Sequence, residues 1–422
     1  MRSVVIGAGA AGLIAARELL ARGDSVTVLE ATDSVGGRVS SLELDGLTLD
    51  AGAESFATRG GAVASIAEEL GLSVGPPAPT PAWVVGPGRA YQLPATGWLG
   101  IPIRPLDKDV RKVIGSSAAV HASLEPHRAL GEVPDDISVG VLVRSRLGDE
   151  VAEALVAPVL QGVYSRHIDA LRLNDIEPTL AQQLRDAGSL LKLAETKRAM
   201  APAGSAVLGI EGGMWRLTEA LAAAIQSGGG SIVTSAAAER LTFEAGAWRV
   251  DAGGGRVVGD RVVLATPLPD ASPLVPGLPS PERRQVAVVT LVLDAPQLDG
   301  APRGTGVLAV GGVTRAKALT HSTAKWPWLS RLARGRHVVR LSYDLDQLPE
   351  DVNSTALEEA ARLLGVDLPA SAQRGVAARI WTDAAPTEVA DRNPASGLYL
   401  VGSAAGLTGL ANIAAADFPW DE

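Results

Sequence analysis

The chain has 422 residues, 46% of them apolar and 20% charged, with a net charge of −9. That length exceeds one core and predicts two or three domains of ordinary soluble composition, and the acidic balance argues against a nucleic-acid partner, whose phosphates need a basic surface. There is no cysteine and the five histidines lack metal-ligand spacing, which excludes disulfides, thiolate catalysis, iron–sulfur clusters and a cysteinyl cofactor link, and leaves no metal site to expect.

The first element is the strand in "SVVIG" (3–7), apolar and β-branched, the pattern of a strand buried in a parallel sheet. Leu13, Ala16, Leu19 and Leu20 recur at helical spacing through "AAGLIAARELLARG" (10–23), and Gly23 ends that helix. "SVTVLE" (25–30) is the next strand, which completes a right-handed βαβ unit. Gly7, Gly9 and Gly12 link its first two members in the spacing G-x-G-x-x-G. Gly7 permits a tight turn, Gly9 lets the main chain approach a diphosphate, and Gly12 lets helix and strand pack closely. The amides at the helix start, among them those of Ala10 and Ala11, then meet an anion with the helix dipole behind them. Glu30 closes the second strand, where a carboxylate accepts hydrogen bonds from a ribose diol and disfavours a 2′-phosphate. "ATDSVGGRVSS" (31–41) brings Gly36, Gly37 and Arg38, a second glycine pair with a cation suited to the same diphosphate. "DGLTLDAGAESF" (45–56) adds a short strand and the turn Gly52, Ala53, Glu54, Ser55.

Further along, "GGAVASIAEELGL" (60–72) reads as a short helix and "PPAPTPAW" (76–83) as a proline-rich break. Residues 104–200 are mostly helical by their three- and four-residue apolar spacing, and "GMWRLTEALAAAIQSGG" (213–229) is another helix. "SIVTS" (231–235), "WRVDA" (248–252) and "RVVLAT" (261–266) are strands expected to return to the first sheet. "QVAVVTLVLD" (285–294), "GVLAV" (306–310) and "HVVRLSYDL" (337–345) predict a separate, largely antiparallel sheet; "TALEEAARLLGV" (355–366) is a late helix and "GLYLVG" (397–402) a last buried strand. The longest apolar runs, such as "VAVVTLVL" (286–293), are strand-length and fall short of the about 20 residues of a membrane span. Arg2 precedes an apolar run as in a secretion signal, but glycines break the run and Glu18 follows, so the first residues read as mature structure. A cytoplasmic protein is expected, with peripheral contact at the inner face of the membrane as the open alternative.

G-x-G-x-x-G, an acidic residue, G-G-R and D-x-G in this order resemble the FAD-dependent amine oxidase superfamily. "YQLPATGWLGIP" (91–102), "LGDEVAEALVAPVLQGVYSRHIDALRL" (147–173), "GGMWRLTEAL" (212–221), "VVLATPLP" (262–269), "ALTHSTAKWPW" (318–328) and "HVVRLSY" (337–343) are similar to the protoporphyrinogen/coproporphyrinogen oxidase family, nearest its bacterial coproporphyrinogen III type. The resemblance runs from the first residues to about residue 405. It implies an α/β fold: a Rossmann-like FAD-binding domain from 1–75, 205–275 and 376–422, an inserted helical region over 76–204, and a mixed antiparallel-sheet substrate domain over 276–375.

It also implies non-covalent FAD, a porphyrinogen substrate and dioxygen as partner. Hydride passes to flavin N5, dioxygen reoxidises the flavin to give hydrogen peroxide, and three rounds remove six electrons. The pyrrole protons leave by tautomerisation, so no catalytic side chain is required; the cofactor carries the chemistry and the protein orients the reactants. For the cofactor, the resemblance points to Gly7, Gly9, Ala10, Ala11, Gly12, Glu30, Ala31, Gly37, Arg38, Gly52, Ala53, Glu54, Ser55, Ala238, Ala265, Thr266, Trp381, Gly402, Ser403, Gly409 and Leu410, with a surface salt bridge as the rival reading for Arg38 and simple burial as that for Trp381. For the substrate carboxylates it points to Arg59 and Arg166, each with an ordinary solvated arginine as the rival reading, and to Tyr164, with core packing as its rival. Gly60 stands where the family often has a second basic residue. The family segment "RW…alPqY..GH" has no counterpart in "RIWTDAAPTEVADRNPASGLYLVG" (379–402), and Asp417, Pro419 and Trp420 interrupt the helix expected after Gly409. Three alternatives stay open: protoporphyrinogen IX oxidation, a flavin oxidase of amines or polyenes, and a non-catalytic tetrapyrrole-binding relative.

Overall fold

In the computed structural model the β-branched run at the N terminus is strand β1 (Arg2–Ile6), the centre of a five-stranded sheet. The structure describes residues 1–422 apart from Ser165, 201–206, 385–388, Ala390, Pro419 and 421–422. Two units emerge, one of residues 1–77, 204–288 and 375–422, the other of 78–203 and 289–374. In the first unit, β2 (Ser25–Leu29), β3 (Ser231–Val233), β4 (Arg261–Leu264) and β5 (Leu398–Leu400) join β1 in the order β3-β2-β1-β4-β5, all parallel. "SIVTS", "RVVLAT" and "GLYLVG" therefore return to the first sheet. Val5, Val28 and Val263 are wholly buried, each contributing about 1.5–3 kcal/mol by leaving water. Helix α1 (Ala10–Ala21) covers one face with Leu13, Ala15, Ala16 and Leu19 fully buried. It ends at Arg22 and Gly23, whose φ is +90°.

"WRVDA" takes a different partner. Ala247–Ala252 is the middle strand of a three-stranded antiparallel sheet, between Ala238–Glu244 and Gly255–Gly259. The reason lies in its flanks: Ala245-Gly246 and Gly253-Gly254, all at positive φ, are two-residue hairpin turns that return the chain beside itself. Its burial alternates along the strand, as one face packs and the other meets solvent.

The second unit rests on a seven-stranded sheet in the order Gln373–Ala384, Arg283–Leu293, His337–Asp344, Ala318–His321, Gly306–Ala309, Trp83–Gly86, Arg89–Gln92. The first two of these strands carry the chain between units. Its helices, among them Val139–Leu147, Leu180–Ala187 and Leu190–Met200, enclose a core that includes Leu142, Leu147, Leu155, Leu160 and Leu184. Glu125 lies inside this core, fully buried, accepting from Arg146 Nε at 3.0 Å and Nη2 at 2.8 Å and from the main-chain amides of Leu190 and Leu191. Burial pushes its carboxyl up, but the Ser189 hydroxyl, the Leu190 amide and Arg146 together hold it below the usual carboxylate range. Among the described residues, no helix is long and apolar enough to cross a membrane.

Candidate cofactor site

Strands β2 and β3 extend the sheet to one side of β1, and β4 and β5 to the other. Ligands of such sheets bind beyond the carboxyl ends of the strands where the order reverses. Here that point is the chain leaving β1 and β4: Gly7 to Gly12, and Ala265 with Thr266.

Gly7 donates its N–H to the Leu29 carbonyl at 2.7 Å and has φ +104°. A Cβ on it would come within 3.2 Å of Ala265 main chain and 3.3 Å of Thr266 Cγ2, so the turn lies flat against the residues after β4. A Cβ on Gly12 would collide with the Gly7 carbonyl oxygen, whereas one on Gly9 would meet open space. Gly7 and Gly12 thus answer to protein packing, and the space above Gly9 is left for something else. Gly9 caps α1 without a side-chain hydrogen bond, and no acidic residue stands in the first turn. The positive end of a 12-residue helix is therefore left for a ligand.

Glu30 follows β2 and points back at the turn. Its Oε2 accepts the Ala8 N–H at 2.8 Å, and its Oε1 accepts the Thr32 amide at 2.9 Å and hydroxyl at 2.8 Å. A carboxylate has about four acceptor directions, so the ribose acceptor expected here shares its oxygens with Ala8 and Thr32. Ala31 between them is exposed. The Gly36 amide donates to the Ala8 carbonyl at 2.8 Å, and a Cβ on Gly37 would lie 3.5 Å from Gly9 Cα. The two glycine turns therefore face each other, with exposed Arg38 at the second.

The turn after the short strand Leu47–Asp50 joins this group. The Ala53 amide donates to the Arg38 carbonyl at 2.8 Å, and a Cβ on Gly52 would strike that same carbonyl. Glu54 and Ser55 continue the turn, half-buried. The Trp381 indole N–H donates to the Ala51 carbonyl at 3.3 Å, 330 residues away in sequence. Ala265 donates to the Ile6 carbonyl at 2.9 Å, and Thr266 Oγ1 is buried with no hydrogen-bond partner among the described residues. Ala238 starts the three-stranded sheet two residues after Ala236, whose amide donates to the Glu30 carbonyl at 2.8 Å. Gly402 has φ +58°, and a Cβ on it would approach Ala11 Cβ to 2.5 Å, so Gly402 presses on the first turn of α1, with half-buried Ser403 next to it in the chain. Gly409, φ +79° with open space at its Cβ position, precedes the short helix α2 (Leu410–Ala414), which packs on α1.

The structure thus places the turns at Gly7–Gly12, Gly36–Arg38 and Gly52–Ala53 beside one another and beside Ala265, Thr266 and Gly402, while Ala238 and Gly409 join this group only through neighbouring residues. Two open glycines, an unsatisfied buried hydroxyl and an uncapped helix end fit a dinucleotide diphosphate and its sugar. Arg59, exposed after the strand Phe56–Ala57, belongs to the same unit and bonds Asn412 Oδ1 through Nη2 at 2.9 Å. Arg166 and Tyr164 belong to the second unit, where Arg166 is paired with Asp175 at 3.0 Å and Tyr164 packs half-buried on the helical core. Sequence reasoning missed the residues that brace the site. Asp50 Oδ1 accepts the Trp215 amide at 3.0 Å, the buried Thr218 hydroxyl donates to the Val39 carbonyl at 2.7 Å, and Thr32 holds Glu30. The acid directly before the Gly52 turn was the available signal for Asp50; nothing local marks Thr218.

The helix after Gly409 stops at Ala414, and Trp420 does not extend it. It folds back to bury its ring, stacking on Phe418 at 5.1 Å and meeting Tyr399 edge-on at 5.3 Å, while its indole N–H donates to Glu18 of α1 at 2.7 Å.

A family model described as flavin containing amine oxidoreductase matches residues 10–372. Over 418 aligned residues, the chain is 27% identical to a coproporphyrinogen III oxidase of Propionibacterium freudenreichii subsp. freudenreichii, covering 86% of this chain and 77% of that protein. It is 30% identical to a coproporphyrinogen III oxidase of Mycobacterium bovis, over 76% of this chain and 73% of the relative. Among solved structures, a candidate protoporphyrinogen oxidase from Exiguobacterium sp. 255-15 superposes with TM-score 0.81 at 24% identity, over 98% of this chain and 96% of that one. A wild-type putrescine oxidase bound to putrescine superposes with TM-score 0.65 at 18% identity, over 98% and 97%.

Proposed function

This chain belongs to the family of flavin-containing amine oxidoreductases and is a flavin-dependent oxidoreductase; from that premise we propose that it oxidises coproporphyrinogen III to coproporphyrin III in haem biosynthesis, with FAD held non-covalently and dioxygen as acceptor. The observation that carries the reading is the series of relatives named for that substrate, aligned over three quarters or more of this chain. The lack of any cysteine removes the thiol that a thioether-linked flavin would need.

In this reading the Gly7–Gly12 turn, with the amides of Ala10 and Ala11, holds the diphosphate, and Arg38 balances its charge. Glu30 takes a ribose hydroxyl in its remaining acceptor direction. Ala238, Ala265 and Thr266 meet the adenosine, and the unpaired Thr266 hydroxyl gains a partner there. Gly52 to Ser55 and Trp381 would hold the flavin end, and Gly402, Ser403, Gly409 and Leu410 would hold the cofactor from the C-terminal stretch. Bound there, FAD would supply the electron sink for a six-electron oxidation with dioxygen as final acceptor and three equivalents of hydrogen peroxide as product. The protein's part is to orient the macrocycle, exclude water, and pair its carboxylate arms with guanidinium forks, which suit carboxylates bidentately. Arg59 takes that role for one arm; Arg166, already paired with Asp175 at 3.0 Å, and Tyr164, packed on the helical core, are the further residues that the family resemblance proposes. Each hydride removed leaves a cation whose N–H proton passes to water, and tautomerisation only relocates the remaining hydrogens, so this reading assigns no strong base to a side chain. We place the protein in the cytoplasm, with peripheral contact at the inner face of the membrane as the second reading.

The test is direct. The purified protein is expected to be yellow, to release FAD on denaturation, and to turn coproporphyrinogen III into a fluorescent porphyrin with three equivalents of peroxide. Faster turnover of protoporphyrinogen IX would move the substrate assignment, and turnover of amines or polyenes alone would replace it. A colourless protein that binds porphyrin without turnover would make it a non-catalytic relative.

A further inference from the structure

The loop that presents Arg59 is not free-standing. Gly60 and Gly61 follow it at φ +74° and +69°, and a Cβ on Gly60 would lie 3.8 Å from the Ala415 Cβ. Helix α2 packs against both the strand before this loop and the helix Ala62–Glu69 after it. One side chain of α2 reaches across. Asn412 Oδ1 accepts from Arg59 Nη2 at 2.9 Å, while Asn412 Nδ2 donates to the Thr408 carbonyl at 2.9 Å. The carboxamide is thereby engaged at both ends, and its orientation is fixed by two different partners.

The chemistry of this partner matters. A carboxylate in its place would neutralise Arg59 and compete with any anionic ligand. A neutral amide orients the guanidinium and leaves its charge intact, and four of its five N–H donors remain for a bidentate contact. An exposed arginine otherwise loses rotamer freedom when it captures a ligand; one held beforehand loses less. We infer that Asn412 is a positioning residue that presents Arg59, through the Thr408 turn, as the receptor for one carboxylate arm of the substrate. Gly60, in place of a second cation, supplies the φ of +74° at which the loop turns after Arg59. The inference rests on the reading of the substrate as a carboxylate-bearing tetrapyrrole.

The probe is coproporphyrin III, which is redox-inert toward the oxidised enzyme, compared with its tetramethyl ester in the same detergent. Affinity is read by porphyrin fluorescence on the flavin-loaded protein, with flavin content and thermal midpoint recorded for every variant. Asn412→Asp, which offers Arg59 an intramolecular anion, is expected to weaken the free acid by more than about tenfold and to leave the ester unchanged. Asn412→Ala, which only frees the arginine, is expected to cost about threefold to tenfold. On an Arg59→Ala background neither change should matter further, because the group they act through is gone. If Arg59→Ala weakens the acid but Asn412→Asp stays within twofold of wild type, the positioning role is overturned. If Arg59→Ala has no effect either, the receptor itself is wrong. A wild-type protein that takes up flavin but binds neither porphyrin would instead overturn the substrate reading and the role of Asn412 with it.

Discussion

Gly9 and Gly12 stand three residues apart in one motif, yet the structure gives them opposite burdens. Gly12 has no room for a Cβ, which would strike the Gly7 carbonyl, while Gly9 has open space and φ −73°, ψ 176°, a backbone any residue adopts. Gly12→Ala should therefore destabilise the apoprotein by about 1–3 kcal/mol or more, as overpacking does, with flavin affinity falling as a consequence. Gly9→Ala should leave the apoprotein melting temperature within a degree or two but weaken flavin at least tenfold, because the methyl group enters the diphosphate space. Flavin fluorescence titration and apoprotein melting, run on both variants, check the pair; equal effects on stability would contradict it. A second residue-scale prediction concerns His321 in the second unit. His337 Nε2 lies 3.0 Å from Asp299 Oδ1, and His321 Nε2 lies 3.1 Å from His337 Nδ1. His321 Nδ1 is buried with no partner among the described residues. Burial first, and then the neighbouring His337, push the His321 pKa down to about 4. The unfolded chain, near 6.5, thus binds the proton more readily than the folded one. Stability from this group is complete above about pH 6.5 and is lost as pH falls toward 4, by about 2 kcal/mol between pH 7 and pH 5. Urea unfolding at the two pH values measures it, and His321→Gln should flatten that part of the slope.

At the scale of elements, the N-terminal strand, turn and helix were legible because their signals are local: β-branched residues, glycine spacing, and a helical period that Gly23 stops. Strand partners were not. "WRVDA" has the composition of a sheet strand, and only the Ala245-Gly246 and Gly253-Gly254 turns say that it pairs with its own neighbours. The site's bracing was also hidden, since Asp50 with Trp215 and Ala51 with Trp381 are single hydrogen bonds over 165 and 330 residues, which leave no periodic trace. The C-terminal stretch is the sharpest case. Its composition read as a helix cut short, and α2 is indeed five residues long. What replaces further helix is an aromatic anchor: Trp420 on Glu18, with the Arg261 guanidinium 5.4 Å from the Trp420 and Tyr399 ring centroids and bonded to Asp24 at 2.9 Å. Gly402 presses on the first turn of α1 and Trp420 bonds to its third, so this stretch runs along the helix whose N-terminus we propose as the diphosphate site. Trp420→Ala should cost about 3–5 kcal/mol of stability, as loss of a buried Trp does, and should also leave Arg261 and Asp24 to water. Chemical denaturation reads the loss; a change under 1 kcal/mol would show that the ring is only resting on the surface.

For the whole molecule, the proposed cofactor site draws on stretches that lie far apart in the chain. The first unit draws on three of them, and residues 4–13, 36–55, 265–266 and 402–410 meet only after the chain between them has folded away. A ligand that bridges such stretches stabilises them together, by about 2.7 kcal/mol at a free concentration one hundred times its Kd. The separation also makes the effect local in space while scattered in sequence. Hydrogen exchange of the apoprotein with and without FAD should therefore show added protection in those four stretches and in the 381 region at once. The helices at 139–147 and 180–200, which belong to the other unit and have their own core around Glu125, should not respond to FAD. Protection limited to the N-terminal turn would mean that the C-terminal stretch takes no part in holding the nucleotide, and Gly402, Ser403, Gly409 and Leu410 would lose their assigned role. Protection in all four stretches would show one cooperative site, because no single local contact can slow exchange at positions nearly 400 residues apart.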